Sequence, residues 1–541
     1  MFISPTAPDT PKNRFWRKCE LYFSLSLGLY AAYAMMIESY YLSHKLADSN
    51  KIVGLKQSTF PWTSYIDLYD GQLSSFRESL PLLSLFAFVF IVFRKILLRF
   101  KPELETQLTY YIIFGLGYAG YIHGPGVIYL VLMVAVNYFL VENFAGKKFF
   151  AISIWVLNLG FLIITELYTG YKFAWWSSSL AFLDRVPHDL PWWRVTNLCM
   201  LKVISYAMDY HWSILNLPTP TKEKHKLICS ECTESIDCLD YRTKSHASHY
   251  SFKAFISYFF YPPLYLAGPT ISYNAWISHV QVPQQTFDAK RLGMYILRFF
   301  MIYFILEWSI HNLYFPGIAS NPRNKRLWEQ FNVWELIATS YVILNWIWLK
   351  FTVIWRYFRI WALLDGIECV ENMVRCMSNS YCFEQFWRMW HRSFNQWLVR
   401  YLFVPLGGRK YKIYNIWVVF GFVALWHDLT LKLLAWGWGM CIFIMPEVLA
   451  KAYFQQPKFA EFRKTLTYNW LCAFGGGFYI VLLMMANLIG FSFGIEGFYI
   501  AMREFSTPEG SWMLFKFTIY LGFCVHFMFA QRKAEEKFKG F

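Results

Sequence analysis

Long apolar runs, separated by short clusters of lysine and arginine, set the pattern of this chain from end to end. The first series lies at about Leu21–Ile37, Leu80–Leu98, Leu108–Ile122, Pro125–Val141, Phe149–Thr165 and Thr196–Trp212. A second comprises about Leu292–Asn312, Val333–Ile354, a run opening near Ile413, Leu433–Leu449, Tyr468–Ile489 and Trp512–Phe529. A helix needs about 20 mostly apolar residues to cross a hydrocarbon core about 30 Å thick, and inside lipid every backbone polar group must be paired internally. The pattern therefore predicts an all-α, polytopic transmembrane helical bundle of about 11–13 spans with re-entrant segments. Ala32-Tyr33-Ala34 mimics a signal-peptidase site, but the apolar character runs past it, so the first run reads as a retained helix.

Sidedness follows from the basic clusters. Lys12, Arg14, Arg17 and Lys18 precede the first run, and Arg94, Lys95, Arg99 and Lys101 follow the second. Counting crossings onward puts Arg409, Lys410, Lys412, Arg463, Lys464, Arg532 and Lys533 on the same side, the cytosolic one, together with both termini. The formal charge of +16 thus marks topology and lipid-headgroup contact, and a nucleic-acid partner is not expected. Composition agrees: 56% of the 541 residues are hydrophobic and 16% charged, where a soluble chain would carry about 25% charged residues. The eleven cysteines are an odd, scattered set and imply no disulfide framework.

Interruptions within the apolar pattern carry the remaining information. Lys202, Ser205 and Asp209 share one helix face, which suits a polar clamp between helices. Glu307 and His311, four apart, are expected to hydrogen-bond to each other. Phe259–Trp276 is broken by Pro262, Pro263, Gly268 and Pro269 and reads as a re-entrant element buried in protein. The aromatic and basic block Trp355–Trp390, with Asp365, Glu371 and Asn372 among its apolar residues, reads as an interfacial or re-entrant helix on the cytosolic side. The polar loop 213–250 contains Cys229-x2-Cys232-x5-Cys238 with His225, His246 and His249 close by. Structural zinc commonly uses two paired motifs and only one is present, so a solvated loop without metal is expected.

Two histidines stand out against this background. His427 lies 14 residues beyond Ile413, about 21 Å into the hydrocarbon core at 1.5 Å per residue. His391 precedes a helical run toward Val404, with Arg392, Asn395 and Arg400 nearby. Ionisable groups at membrane depth are functional candidates by default. A neutral imidazole is the form a general base needs, and attack of a hydroxyl on an activated acyl group suits such a base beside a polar partner. Motifs for serine hydrolases, zincins and P-loop NTPases are absent from the sequence.

At these residues the sequence resembles the membrane-bound O-acyltransferases, and within them the glycerol-uptake (Gup) proteins and their hedgehog-acyltransferase relatives. The resemblance is carried by YPPLYLAGPTISYN, WALLDGIECVENMVRC, MWHRSFNQWLVRYLFVPLGG, FVALWHDLTLKLLAWGW and MMANLIGF. It implies His427 as the family's near-invariant histidine and His391 as its second polar position. Lys202 departs from an arginine in the Gup pattern, which keeps charge but loses the planar fork. The resemblance also implies a lumen-to-cytosol tunnel in the endoplasmic reticulum membrane. Acyl-CoA would arrive as a substrate from the cytosol, with no cofactor, and the acceptor hydroxyl from the bilayer or lumen.

The implied division is a cytosolic tail (1–20), N-terminal transmembrane helices (21–212), a cytosolic polar loop (213–253), a catalytic core (254–530) and a cytosolic tail (531–541). Asn395, Trp390, Trp426 and Asp365 are expected along the substrate path, with Arg356, Arg359 or Lys410 meeting CoA phosphates. Fungal Gup proteins are associated with reacylating the sn-2 position of a lyso-GPI anchor, and by name with glycerol uptake. Two rival readings stand beside this one: a proton-coupled glycerol transporter, and a protein acyltransferase or regulator of the hedgehog-acyltransferase type. The oligomeric state is left open by the sequence.

Overall fold

The computed structural model describes residues 11–217, 221–227, 229, 231–232, 237–320, 327–492 and 494–538. Nine helical stretches among these residues are long and apolar enough to cross a bilayer: Lys18–Asp48, Gly71–Arg99, Leu104–Phe144, Phe150–Leu167, Ala289–Asn312, Val333–Asp365, Leu431–Phe454, Leu466–Phe491 and Pro508–Glu535. The third is two helices, Leu104–His123 and Val127–Phe144, joined by the turn Gly124–Gly126, where Gly124 takes φ +54°. The remaining expected runs form Thr196–Ile214, which is more polar, and Lys412–His427, which has only 16 residues. Among the described residues the strands are confined to a two-stranded antiparallel ribbon, Lys56–Gln57 with Tyr65–Ile66. The chain is an all-α polytopic bundle. The expected tail of residues 1–20 is helical from Pro11 onward, and residues 1–10 and 539–541 lie outside the described set.

Helix starts follow from local chemistry. Asp70, Asp288 and Thr465 each accept a hydrogen bond from the backbone N–H three residues on. Asn332 and Glu335 form a reciprocal capping box at 2.9 and 2.8 Å. Val333–Asp365 is the axis of the bundle: 67% of its apolar window is buried, against 17% for Lys18–Asp48 and for Gly71–Arg99. Those outer helices turn Tyr22, Leu29, Leu82, Leu85 and Phe88 outward, an apolar surface that only lipid would cover. A single buried apolar cluster reaches from Ile66 to Ala486 and unites the N-terminal helices with the later ones.

The broken segment Phe259–Trp276 is buried except at the partly exposed Leu266, Ala267, Gly268 and Thr270, as suits irregular backbone at membrane depth. It runs from the helix Phe252–Phe259 through the single turn Pro262–Leu264 to the helix Tyr273–Gln281. Lys202 donates to the carbonyl of Phe259 at 2.9 Å, capping the end of the first helix. Asp209 is fully buried and pairs with Arg400 at 2.8 Å, accepts from Tyr401 Oη at 3.0 Å, and accepts from the N–H of Asn274 at 3.2 Å. Ser205 Oγ lies 2.8 Å from Tyr401 Oη and accepts from the N–H of Tyr273 at 2.9 Å. The polar face of this helix is therefore a clamp joining three segments, and removing one partner of such a buried pair costs about 3–5 kcal/mol.

Two expectations need correction. Glu307 does not bond the His311 side chain: its carboxylate forms a bidentate pair with Arg77 at 2.6 and 2.8 Å, and His311 Nδ1 sits 2.7 Å from the Glu307 backbone carbonyl instead. Nor is Trp355–Trp390 one helix. The central helix continues to Asp365, Gly366 ends it in the left-handed region at φ +90°, and irregular chain follows until Phe383–Met389.

Candidate active site

Two short segments bring the histidines together. After Phe383–Met389 the chain turns through Trp390, and His391 enters the left-handed region at φ +47° and ψ +50°, immediately before the helix Arg392–Leu398. A non-glycine residue held there stores about 1–3 kcal/mol of strain, which the surroundings must over-determine. Here Asn372 supplies much of that: its carbonyl accepts from the N–H of Arg392 at 3.1 Å and its Oδ1 from the N–H of Ser393 at 3.2 Å. The second segment is the helix Lys412–His427, whose last residue is His427 because Asp428 turns fully extended.

Aromatic rings define the space around both imidazoles. Trp355 stacks on His391 with centroids 4.4 Å apart and 22° between planes, and Phe394 lies 5.1 Å away. Trp426 is the common neighbour, 6.2 Å from His391 and 4.8 Å from His427. It stacks on Phe394 at 4.4 Å and is held by a reciprocal clasp with Asn197. In that clasp Trp426 Nε1–H donates to the Asn197 carbonyl at 2.8 Å, and Asn197 Nδ2 donates back to the Trp426 carbonyl at 3.2 Å. Phe491 and Trp436 complete the wall beside His427 at 5.8 and 6.2 Å.

The hydrogen-bonding state of these rings differs from that of buried histidines elsewhere in the chain. His123, His279 and His311 each place Nδ1 2.7 Å from a backbone carbonyl, and His211 Nδ1 accepts from the N–H of Gly146 at 2.9 Å. Neither His391 nor His427 has a side-chain hydrogen bond to any described residue. His391 is half-buried and His427 exposed, so both rings keep accessible surface. A cavity of about 250 Å³ lies behind Phe491, lined also by Asp70, Phe315, Ile347, Lys350 and Phe351.

The other expected site residues scatter. Trp390 and Trp426 belong to the aromatic wall, and Asn395 stands half-buried one turn along from His391, its N–H donating to the His391 carbonyl at 3.0 Å. Asp365 is elsewhere and is occupied by protein: it accepts from Tyr111 Oη at 2.9 Å and Tyr261 Oη at 2.8 Å and faces Arg94 at 3.4 Å. Arg356 and Arg359 both face Glu371, each at 3.5 Å, and Arg359 also donates to the Cys369 carbonyl at 2.9 Å. Trp355, Phe491, Asn372 and Asn197 escaped the sequence reading as site residues. The amides carried the only available signal, as polar residues set in or at the head of apolar stretches.

Known proteins resemble this chain over most of its length. The family model described as MBOAT, membrane-bound O-acyltransferase family, matches residues 188–493, a segment that contains both histidines. The chain is 34% identical over 531 residues to membrane-bound O-acyltransferase gup1 of Schizosaccharomyces pombe, covering 95% of this chain and 88% of that one. It is 33% identical to membrane-bound O-acyltransferase GUP1 of Saccharomyces cerevisiae, over 87% of this chain and 83% of that one. A more distant match, 25% identical over 35% of this chain and 39% of the relative, is protein-cysteine N-palmitoyltransferase HHAT of Mus musculus. By the extent of the family match and the near full-length likeness to its Gup members, the chain belongs to the membrane-bound O-acyltransferase family.

Proposed function

We propose that this protein transfers a long-chain acyl group from acyl-CoA to a lipid hydroxyl in the endoplasmic reticulum membrane, with the sn-2 position of a lyso-GPI anchor as acceptor. The observation that carries the reading is the contrast among histidines: unlike the buried His123, His211, His279 and His311, His391 and His427 leave their nitrogens to an incoming molecule, across a shared tryptophan. His427 takes the proton of the acceptor hydroxyl as its oxygen attacks the thioester carbonyl carbon. The carbon–sulfur bond then breaks, and the proton returns from His427 to the departing CoA sulfur, so ester and free CoA thiol balance the reaction. His391 donates to the acyl carbonyl oxygen as negative charge develops on it. The rigid aromatic wall excludes bulk water, which would otherwise hydrolyse the thioester.

Membranes carrying the protein, supplied with radiolabelled acyl-CoA, should place label in a GPI-type lipid. His427→Ala should lower that transfer at least about 100-fold, the low end of a general base's contribution. Label transfer unchanged by the substitution would overturn the assignment of His427. Label appearing in a secreted protein instead would move the acceptor to the class named for the HHAT relative. Vectorial glycerol flux in liposomes that is lost in His427→Ala, without acyl transfer, would favour the carrier reading.

A further inference from the structure

The loop between the helices Thr196–Ile214 and Phe252–Phe259 gathers four metal-binding side chains. One ligand atom from each of His225, Cys229, Cys232 and Cys238 can be chosen so that all four lie within 4.8 Å of one another. His225 belongs to the single helical segment Lys222–Lys226, and Cys229 follows one turn later, its N–H donating to the His225 carbonyl at 2.9 Å. Cys238 begins the helix Leu239–Lys244, its sulfur accepting from the N–H of Tyr241 at 3.4 Å. The N–H of Cys238 in turn donates to Cys232 Sγ at 3.2 Å. Local backbone geometry thus aims an imidazole and three sulfurs at one point, and main-chain donors already face two of the sulfurs, as thiolates require.

Distances discriminate between the fates open to such a group. Zinc–sulfur bonds of about 2.3 Å at tetrahedral angles put ligand sulfurs about 3.8 Å apart. Cys229 and Cys238 sulfurs are 3.7 Å apart, and His225 Nε2 is 3.1 Å from Cys238 Sγ. A disulfide would use only two of the sulfurs and leave the third and the imidazole without purpose.

We propose that His225, Cys229, Cys232 and Cys238 bind one zinc ion. Four protein ligands leave no open position, so the site is structural, not catalytic. Its mechanical role follows from what the loop touches. Arg242, buried on the helix that Cys238 begins, donates to the carbonyls of Val282 at 2.6 Å and Asp237 at 3.1 Å. Asn274 Nδ2 donates to the Ser245 carbonyl at 2.5 Å, while the Asn274 N–H meets Asp209 of the interhelical clamp. Lys222 and Asp237 close the base of the loop at 2.8 Å. The metal therefore pins a polar loop onto the broken helical segment.

The full-length protein, purified in detergent from zinc-supplemented cells and dialysed, should retain about one zinc per chain by elemental mass spectrometry. Cys232→Ser and Cys238→Ser should each lower retained zinc at least about fivefold, whereas Cys199→Ser, inside the bundle, should leave it unchanged. Cobalt loaded into wild-type protein should give the visible absorption of tetrahedral cobalt thiolate, which keeps the proposal testable if a cysteine variant fails to fold. Wild-type protein without zinc, zinc unchanged in both variants, or a Cys229–Cys238 disulfide in non-reduced peptide maps would each overturn it.

Discussion

His123, His279 and His311 spend a ring nitrogen on a backbone carbonyl, and a histidine so satisfied is part of the scaffold. His391 and His427 make no such bond, so their polarity is offset only when another molecule is present. The same residue-by-residue accounting applies to Asp67 in the loop before Gly71. Its carboxylate accepts from the N–H of Gly317 at 2.7 Å and of Tyr69 at 3.0 Å and is almost wholly buried. Burial raises its pKa from 3.8 to about 6, against the opposing pull of those two N–H groups. The folded protein thus holds this proton more tightly than the unfolded chain. Asp67 favours folding most below pH 3.8, and that contribution is lost as pH rises through about 6. Thermal unfolding of wild type and Asp67→Asn between pH 4 and 7 should show the wild-type advantage shrinking with increasing pH; a constant difference would contradict it. At this scale the sequence exposes which residue types are costly in lipid, but not their partners. Asp365 looked like a substrate contact because its two tyrosines, Tyr111 and Tyr261, lie far from it along the chain.

Secondary-structure elements were the most legible level, because bilayer thickness imposes a length and a composition that any sequence must display. Every expected run became a helix, and the proline-broken segment was recognisable from Pro262, Pro263 and Pro269. The block after Trp355 misled because aromatic and basic residues suit an interfacial helix and an irregular tied-down segment equally well. Only the left-handed Gly366 and the anchoring Asn372 decide between them. How elements approach one another is set by small residues. The helices Leu466–Phe491 and Pro508–Phe538 cross at Gly477, where an added Cβ would sit 2.7 Å from the Thr518 carbonyl oxygen. Gly475, two residues earlier, has nothing within 4 Å of the same point. Gly477→Ala should lower stability in detergent by about 1–3 kcal/mol, the usual cost of overpacking, while Gly475→Ala should leave it equal or slightly higher. Equal melting temperatures for the two variants would refute the close crossing.

At the scale of the whole molecule, alternation of basic clusters and helices makes sidedness testable. An N-glycosylation sequon inserted in the loop 51–64 should be modified in the endoplasmic reticulum lumen, and one inserted near Lys224 should not; modification at Lys224 would invert the topology and move the cysteine loop to an oxidising compartment. The cavity of about 250 Å³ that reaches from Asp70 and Lys350 to Phe491 and Phe351 is partly open. Sequence periodicity gave no hint of that space, since it is bounded by residues from four separated parts of the chain. Phe491 on the cavity wall has its ring 5.8 Å from that of His427, and Phe351 on the same wall stacks at 5.0 Å on Trp355, which in turn stacks on His391. Between this cavity and the imidazoles the contacts therefore run through aromatic side chains, which turn about single bonds far more quickly than a helix slides.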